Sequence, residues 1–193
     1  FYNGTNKKNI FPTPVIGGVG IIKNLSKLLN HNFKKEKSRL ILIGKTLGHI
    51  EQSCFLKENY SINDGMPPEI NLLNEKNNGE SLLKLIENNL ILSSHDVSNG
   101  GLITALSEMS LNSEIGAKIF KPKKLTNLFK YFFGEDQARY VIEIEEKSLK
   151  ESEKILKDSN IYFENIGYTQ KEFFEIEDEL KISTKELFKI NNQ

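Results

Sequence analysis

HDVSNGGL, residues 95–102, follows directly on LILSS, residues 90–94, and the junction decides the fold. LILSS reads as a short strand. Beyond it, Leu102, Ala105, Leu106 and Met109 recur at i, i+3, i+4 and i+7, so the double glycine Gly100 and Gly101 opens an amphipathic helix. In a strand, turn and helix unit of this kind, Asp96 stands at the sheet edge, and the glycines let backbone amides at a helix start approach an anion closely. Magnesium takes one or two carboxylates together with phosphate oxygens and water, which makes Asp96 the candidate metal ligand beside a phosphate. A plainer role fits the same residues: Asp96, Ser98 and Asn99 as an Asx turn and N-cap for the helix.

RLILI at Arg39–Ile43 predicts a buried strand, and YVIEI at Tyr140–Ile144 alternates like a half-buried one. Leu82, Leu83, Leu85 and Ile86 give a helix face over Gly79–Asn89. Ser148 and Glu151 form a capping box for a helix running to about Asp158, and Ser183 with Glu186 caps a short last helix. Ile161–Ile166 and Phe173–Ile176 are further strands. Upstream, PTPVIGGVGII ending at Ile22 reads as a proline-punctuated approach to a short apolar strand, the tail of another unit. Helices and strands interleaved without a strict βαβ cadence predict an α+β fold with a mixed sheet and flanking helices. The organisation expected is 1–22 from a preceding domain, 23–36 as a lysine-rich linker and 37–193 as the main domain.

FGEDQARY, Phe133–Tyr140, packs Glu135, Asp136, Gln137 and Arg139 against an apolar flank. Of the 26 basic residues only Arg39 and Arg139 are arginine. A guanidinium binds carboxylate or phosphate as a fork, which lysine does not, so Arg139 is a candidate anion ligand. It is equally a candidate for locking Glu135 or Asp136 in place. His31, His49 and His95 have no metal-ligand spacing with Cys54, and Cys54 beside Phe55 and Leu56 reads as core.

A formal net charge of +0 over 193 residues leaves no electrostatic footprint for nucleic acid or an acidic membrane. One cysteine makes no internal disulfide, which points to a reducing, cytoplasmic setting. No apolar run approaches the roughly 20 residues of a membrane span. Starting at Phe1, the chain reads as a fragment.

YNGT, PTPVIGGVG, LILIG, HDVSNGGL and FGEDQARY, in this order, carry a resemblance that generic motifs do not. The chain resembles the C-terminal part of the synthetase-subunit family of phosphoribosylformylglycinamidine synthase (formylglycinamide ribonucleotide amidotransferase). That family belongs to the aminoimidazole ribonucleotide synthetase-like superfamily, whose members pair an A domain with an α+β B domain. The resemblance implies that 1–22 ends the second A domain and that 37–193 is the second B domain. It also implies an ATP- and Mg²⁺-dependent ligase of purine biosynthesis, which joins glutamine-derived ammonia to formylglycinamide ribonucleotide.

By the same resemblance the catalytic residues lie upstream, none falls in this chain, and the isolated piece is expected to be inactive. Asp96, Gly100, Gly101, Glu135, Asp136, Gln137 and Arg139 correspond to an auxiliary phosphate or nucleotide (ATP/ADP) site, with Asp96 as its metal ligand. Implied partners are the remaining A and B domains, a separate glutaminase subunit and a small bridging subunit; nucleic acid and membrane are not among them. Three departures stand out. Gly4 replaces the Glu of YNET, Asn99 the second Asp of HDVSDGG, and LGHIEQS at Leu47–Ser53 only loosely follows LGGSE. Alternatives are another ATP-dependent synthetase or kinase of the superfamily, or a noncatalytic binding domain.

Overall fold

RLILI is wholly apolar because it lies inside a sheet covered on both faces. In the computed structural model this strand is β3 (Arg39–Ile43), with Leu40 and Leu42 in one hydrophobic cluster and Ile41 and Ile43 in another. The structure describes residues 4–5, 8–9, 14–123 and 127–192. Tyr2 and Asn3 of YNGT, and Pro12 and Thr13, lie outside the described residues.

The remaining strands are β1 (Gly4–Thr5), β2 (Lys8–Asn9), β4 (Ser93–Asp96), β5 (Ile115–Ile119), β6 (Tyr140–Ile144), β7 (Phe163–Lys171), β8 (Phe173–Ile176) and β9 (Leu180–Ser183). Among the described residues six α-helices accompany them: α1 (Cys54–Tyr60), α2 (Leu72–Glu87), α3 (Gly101–Leu111), α4 (Leu128–Phe133), α5 (Glu146–Asp158) and α6 (Thr184–Asn191). β1 and β2 pair with each other, and the main sheet has the order β4-β6-β3-β7-β5-β8-β9. Its neighbours are antiparallel except β5 and β8, which run parallel. This is the mixed sheet of the expected α+β class. On one face α3 and α4 contribute Leu102, Leu106, Met109 and Phe132 to the core; on the other, α2 and α5 contribute Leu85 and Leu156. Among the described residues, no helix is long and apolar enough to cross a membrane.

Several local expectations are corrected. The strand after α2 covers Ser93–Asp96 rather than Leu90–Ser94, because Leu90 and Ile91 plug the α2 side of the core before the chain enters the ladder beside β6. Asp96 is thus the last strand residue and pairs with Tyr140. YVIEI is buried on both faces, not one, since β6 is interior between β4 and β3. α2 starts at Leu72, where the Asn71 side chain accepts from Asn74 N. α5 starts at Glu146, so Ser148 lies inside its first turn and caps nothing, whereas Ser183 does cap α6 by accepting from Glu186 N.

No strand forms over 14–22. Val15, Ile16 and Val19 are at least 90% exposed, with no strand beside them among the described residues to take their backbone hydrogen bonds. The second half of 23–36 packs against the main sheet: Phe33 is 2% exposed, and the amides of Lys34 and Lys35 donate to the buried Glu143 carboxylate of β6.

Candidate functional site

β4 and β6 run antiparallel with Asp96 opposite Tyr140, so the end of one and the start of the other meet at the same edge of the sheet. HDVSNGGL and FGEDQARY therefore meet as well. Gly100 N donates to Glu135 Oε1 at 2.8 Å, and the same oxygen accepts from Cys54 N at 2.8 Å, so one carboxylate joins the starts of α1 and α3. Close packing here depends on glycine. Gly101 has φ +73°, and a Cβ on it would stand 2.7 Å from the carbonyl oxygens of Phe132 and Gly134.

Asp136 faces the loop after β3. Its Oδ2 accepts from Leu47 N and Gly48 N at 2.9 Å, and its Oδ1 from His49 N at 3.1 Å. A carboxylate accepting three amides is the charge-assisted form of a loop clamp. Arg139, 1% exposed, donates to Gly134 O (2.6 Å), Asp136 O (3.1 Å) and Thr46 Oγ1 (3.2 Å), and lies 4.0 Å from Asp136 Oδ2. Burial pulls its pKa below the usual range, and the Asp136 carboxylate opposes that shift. Of the two roles open to Arg139, the geometry gives it the locking one.

Asp96 and Gln137 stand apart from this lock. The Asp96 side chain is 64% exposed, with the His95 ring 3.5 Å away. His95 in turn contacts the Asp96 carbonyl (2.7 Å) and Glu108 Oε2 (2.8 Å). Gln137 is exposed, with only a 3.4 Å contact to Glu135 O. Among the described residues, no group of three or more His, Cys, Asp and Glu is placed to hold a metal ion. Asp96 can offer Mg²⁺ one open carboxylate, and phosphate oxygens and water would have to complete the shell. Cys54 is partly buried, and burial followed by the neighbouring Glu135 charge pushes its thiol pKa up, away from a reactive thiolate.

Two features escaped the sequence reading. Glu143, fully buried, accepts from the amides of Lys34 and Lys35 and from Ser93 Oγ. A cavity of about 470 Å³ lies between the loop after β3, the start of α2 and the FGEDQARY turn, and it includes Asp136 and Gln137 but not Asp96 or Gly100. Its signal was present: Asn71, Asn74 and Asn78 at i, i+3 and i+7 put three amides on one helix face.

Residues 35–178 match the family model described as AIR synthase related protein, C-terminal domain. The phosphoribosylformylglycinamidine synthase subunit PurL of Pelagibacter ubique is 46% identical over 189 residues, which are 98% of this chain and 26% of that protein. The subunit of the same name from Rhodopseudomonas palustris (strain TIE-1) is 37% identical over 186 residues, 96% of this chain and 25% of its own length. The chain thus spans about a quarter of the curated relatives it matches. Among solved structures, T. maritima PurL complexed with FGAR superposes with a TM-score of 0.69 at 14% identity, covering 85% of this chain and 30% of that one. The same protein complexed with ATP gives 0.66 at 12%, with 85% and 28% covered. PurLQS from Thermotoga maritima gives 0.64 at 15%, again with 85% and 28% covered. At these identities the superpositions establish the shared fold.

Proposed function

The chain belongs to the AIR synthase related proteins, as their C-terminal domain, and we propose that it is one quarter of an ATP-dependent C–N ligase, the synthetase subunit of phosphoribosylformylglycinamidine synthase. The observation that carries this reading is 46% identity across 98% of the chain to a subunit of that name. The full subunit would activate the formamide oxygen of formylglycinamide ribonucleotide with ATP, and ammonia would displace the phosphate. In this reading the present residues supply no catalytic group, 1–22 ends an A domain, and 37–193 is a B domain that docks on the other A and B domains of the same polypeptide. A separate glutaminase and a small bridging subunit complete the proposed assembly, and the shared fold with PurLQS supports a multi-subunit setting. A cytoplasmic location accords with the single free cysteine.

Complementation tests the proposal. A Pelagibacter subunit whose corresponding quarter is replaced by this chain is expected to restore purine-independent growth to a bacterium lacking the synthetase subunit. A soluble, expressed chimera that never does so would count against it.

Within this frame Asp96, Gly100, Gly101 and Glu135–Arg139 are proposed as the wall of an auxiliary Mg-nucleotide site, supported by the exposed Asp96 carboxylate at a strand end beside a helix start. Bound Mg²⁺ would neutralise phosphate charge there. Because Glu135 already holds Gly100 N, Asp96 carries the ligand role and Glu135, Asp136 and Arg139 shape the wall. In the intact subunit, Asp96→Asn is expected to weaken Mg-ADP binding about tenfold, or about 1.4 kcal/mol, by calorimetry, without changing the melting temperature in the absence of nucleotide. Unchanged affinity would return Asp96 to the Asx-turn role.

A further inference from the structure

Asn–Gly is the dipeptide in which asparagine most readily deamidates, because glycine leaves the following amide unhindered and free to turn onto the side chain. It occurs three times, at Asn3–Gly4, Asn78–Gly79 and Asn99–Gly100. Asn3 lies outside the described residues, and Asn78–Gly79 sits inside α2 with Asn78 7% exposed. Asn99 is exposed, so water reaches its carboxamide. By sequence and exposure alone, Asn99 would be the reactive one.

Two features of the fold oppose this. Gly101 N donates to Ser98 O at 3.0 Å, and Gly100 has φ +77° and ψ −2°, which makes Ser98–Gly101 a type II turn with Asn99 and Gly100 at its centre. Such a turn holds ψ of its first central residue near about +120°, which carries Gly100 N away from Asn99 Cγ. That nitrogen also donates its proton to Glu135 Oε1 at 2.8 Å. Attack on Cγ requires the amide to lose this proton, and a carboxylate beside it disfavours the amide anion while fixing the turn. Because the same oxygen accepts from Cys54 N at 2.8 Å, the turn opens only by parting the starts of α3 and α1.

We infer that Asn99–Gly100 is a deamidation site that Glu135 holds closed. When the turn opens, Gly100 N gives its proton to solvent base and bonds to Asn99 Cγ; the side-chain nitrogen takes a proton from water and leaves as ammonia, and a succinimide remains. Water then opens the ring at either carbonyl to give aspartate or isoaspartate. The net change is one water in and one ammonia out. The product adds a carboxylate next to the strand end that presents Asp96, and isoaspartate lengthens the backbone of a turn where Gly101 has no room for a Cβ. The inference does not rest on the ligase reading, since the reaction is followed on this chain alone.

The 193-residue chain is incubated at mildly alkaline pH, folded and in guanidinium chloride, and Asn99 and Asn78 are followed by peptide mapping with mass spectrometry. Asn99 in the folded wild type is expected to react at least about thirtyfold more slowly than in the denatured chain. Glu135→Ala is expected to speed the reaction at Asn99 about tenfold in the folded state, and Glu135→Gln, which keeps a neutral acceptor, about threefold, with Asn78 intact in both. Circular dichroism establishes that each variant is folded; if the alanine variant is not, the glutamine variant and the wild-type comparison decide. Equal rates at Asn99 in folded and denatured wild type overturn the inference. So does a rate at Asn99 that ignores the Glu135 substitutions, or acceleration at Asn78 equal to that at Asn99, which would mark global opening instead of release of one amide.

Discussion

Arg139→Met is expected to lower the unfolding free energy by about 3 kcal/mol, measured by urea denaturation, at nearly unchanged m-value. The side chain is 1% exposed and donates to two backbone carbonyls and to Thr46 Oγ1. Methionine preserves most of the aliphatic stem but leaves the carbonyls of Gly134 and Asp136 buried without a donor, at about 1–3 kcal/mol for each such group. It also removes the positive charge beside the buried Asp136 carboxylate. Release from guanidinium desolvation offsets part of this, which holds the estimate near 3 kcal/mol rather than at the sum. Arg139→Lys is expected to recover little, because one ammonium does not reproduce three divergent donors. A loss under about 1 kcal/mol would mean that the FGEDQARY turn is held by Asp136 and Glu135 without help from the arginine.

Glu143→Ala is expected to cost about 3–4 kcal/mol and to act at a distance along the chain, because its three donors include the amides of Lys34 and Lys35. All three would be left without an acceptor beneath a sheet that admits no bulk water: Glu143 and Ser93 are fully buried, and Phe33 nearly so. Hydrogen exchange should then speed up first at Lys34 and Lys35, before any global opening. Glu143→Gln keeps one acceptor oxygen and should cost less than half as much. Unchanged protection at Lys34 and Lys35 in the alanine variant would show that Phe33 alone seats this segment.

RLILI, YVIEI and the Leu102–Met109 face were legible because burial on both sides of a sheet, or on one side of a helix, writes itself into hydrophobic spacing. β5 was not, since IGAKI carries a glycine and an alanine where bulk is excluded. A Cβ on Gly116 would fall 1.9 Å from Phe173 O, so the close approach of the neighbouring chain sets the residue there. α4, LFKYFF, is short and aromatic, and it is fixed by the Asn127 cap and by Tyr131 and Phe132 in the core rather than by propensity. α1 and β9 likewise have weak patterns of their own. VIGGVG reads as a strand from its β-branched residues, but a strand also needs a neighbour for its backbone, and that is not encoded locally.

At the site, the rarity of arginine drew attention to Arg139, and FGEDQARY announced a dense polar turn. Its role as a lock did not follow from spacing, because its partners are backbone groups and Thr46, 93 residues away. The clamp role of Asp136 escaped for the same reason, with amides 87 to 89 residues distant as its partners. Glu143 looked like the polar face of a half-buried strand, and only the interior position of β6 makes it a buried clasp.

We propose above that this chain is one quarter of a formylglycinamide ribonucleotide ligase and that the catalytic groups lie in the remaining three. Turnover decides this, measured for the purified Pelagibacter chimera and for the isolated 193-residue chain, each given ATP, Mg²⁺, formylglycinamide ribonucleotide and ammonia. The chimera is expected to keep kcat/KM within about tenfold of its parent, a loss of no more than about 1.4 kcal/mol in transition-state stabilisation, while the isolated chain forms no product above a protein-free control. A folded chimera without turnover, or repurified isolated chain that makes the product, would contradict the account.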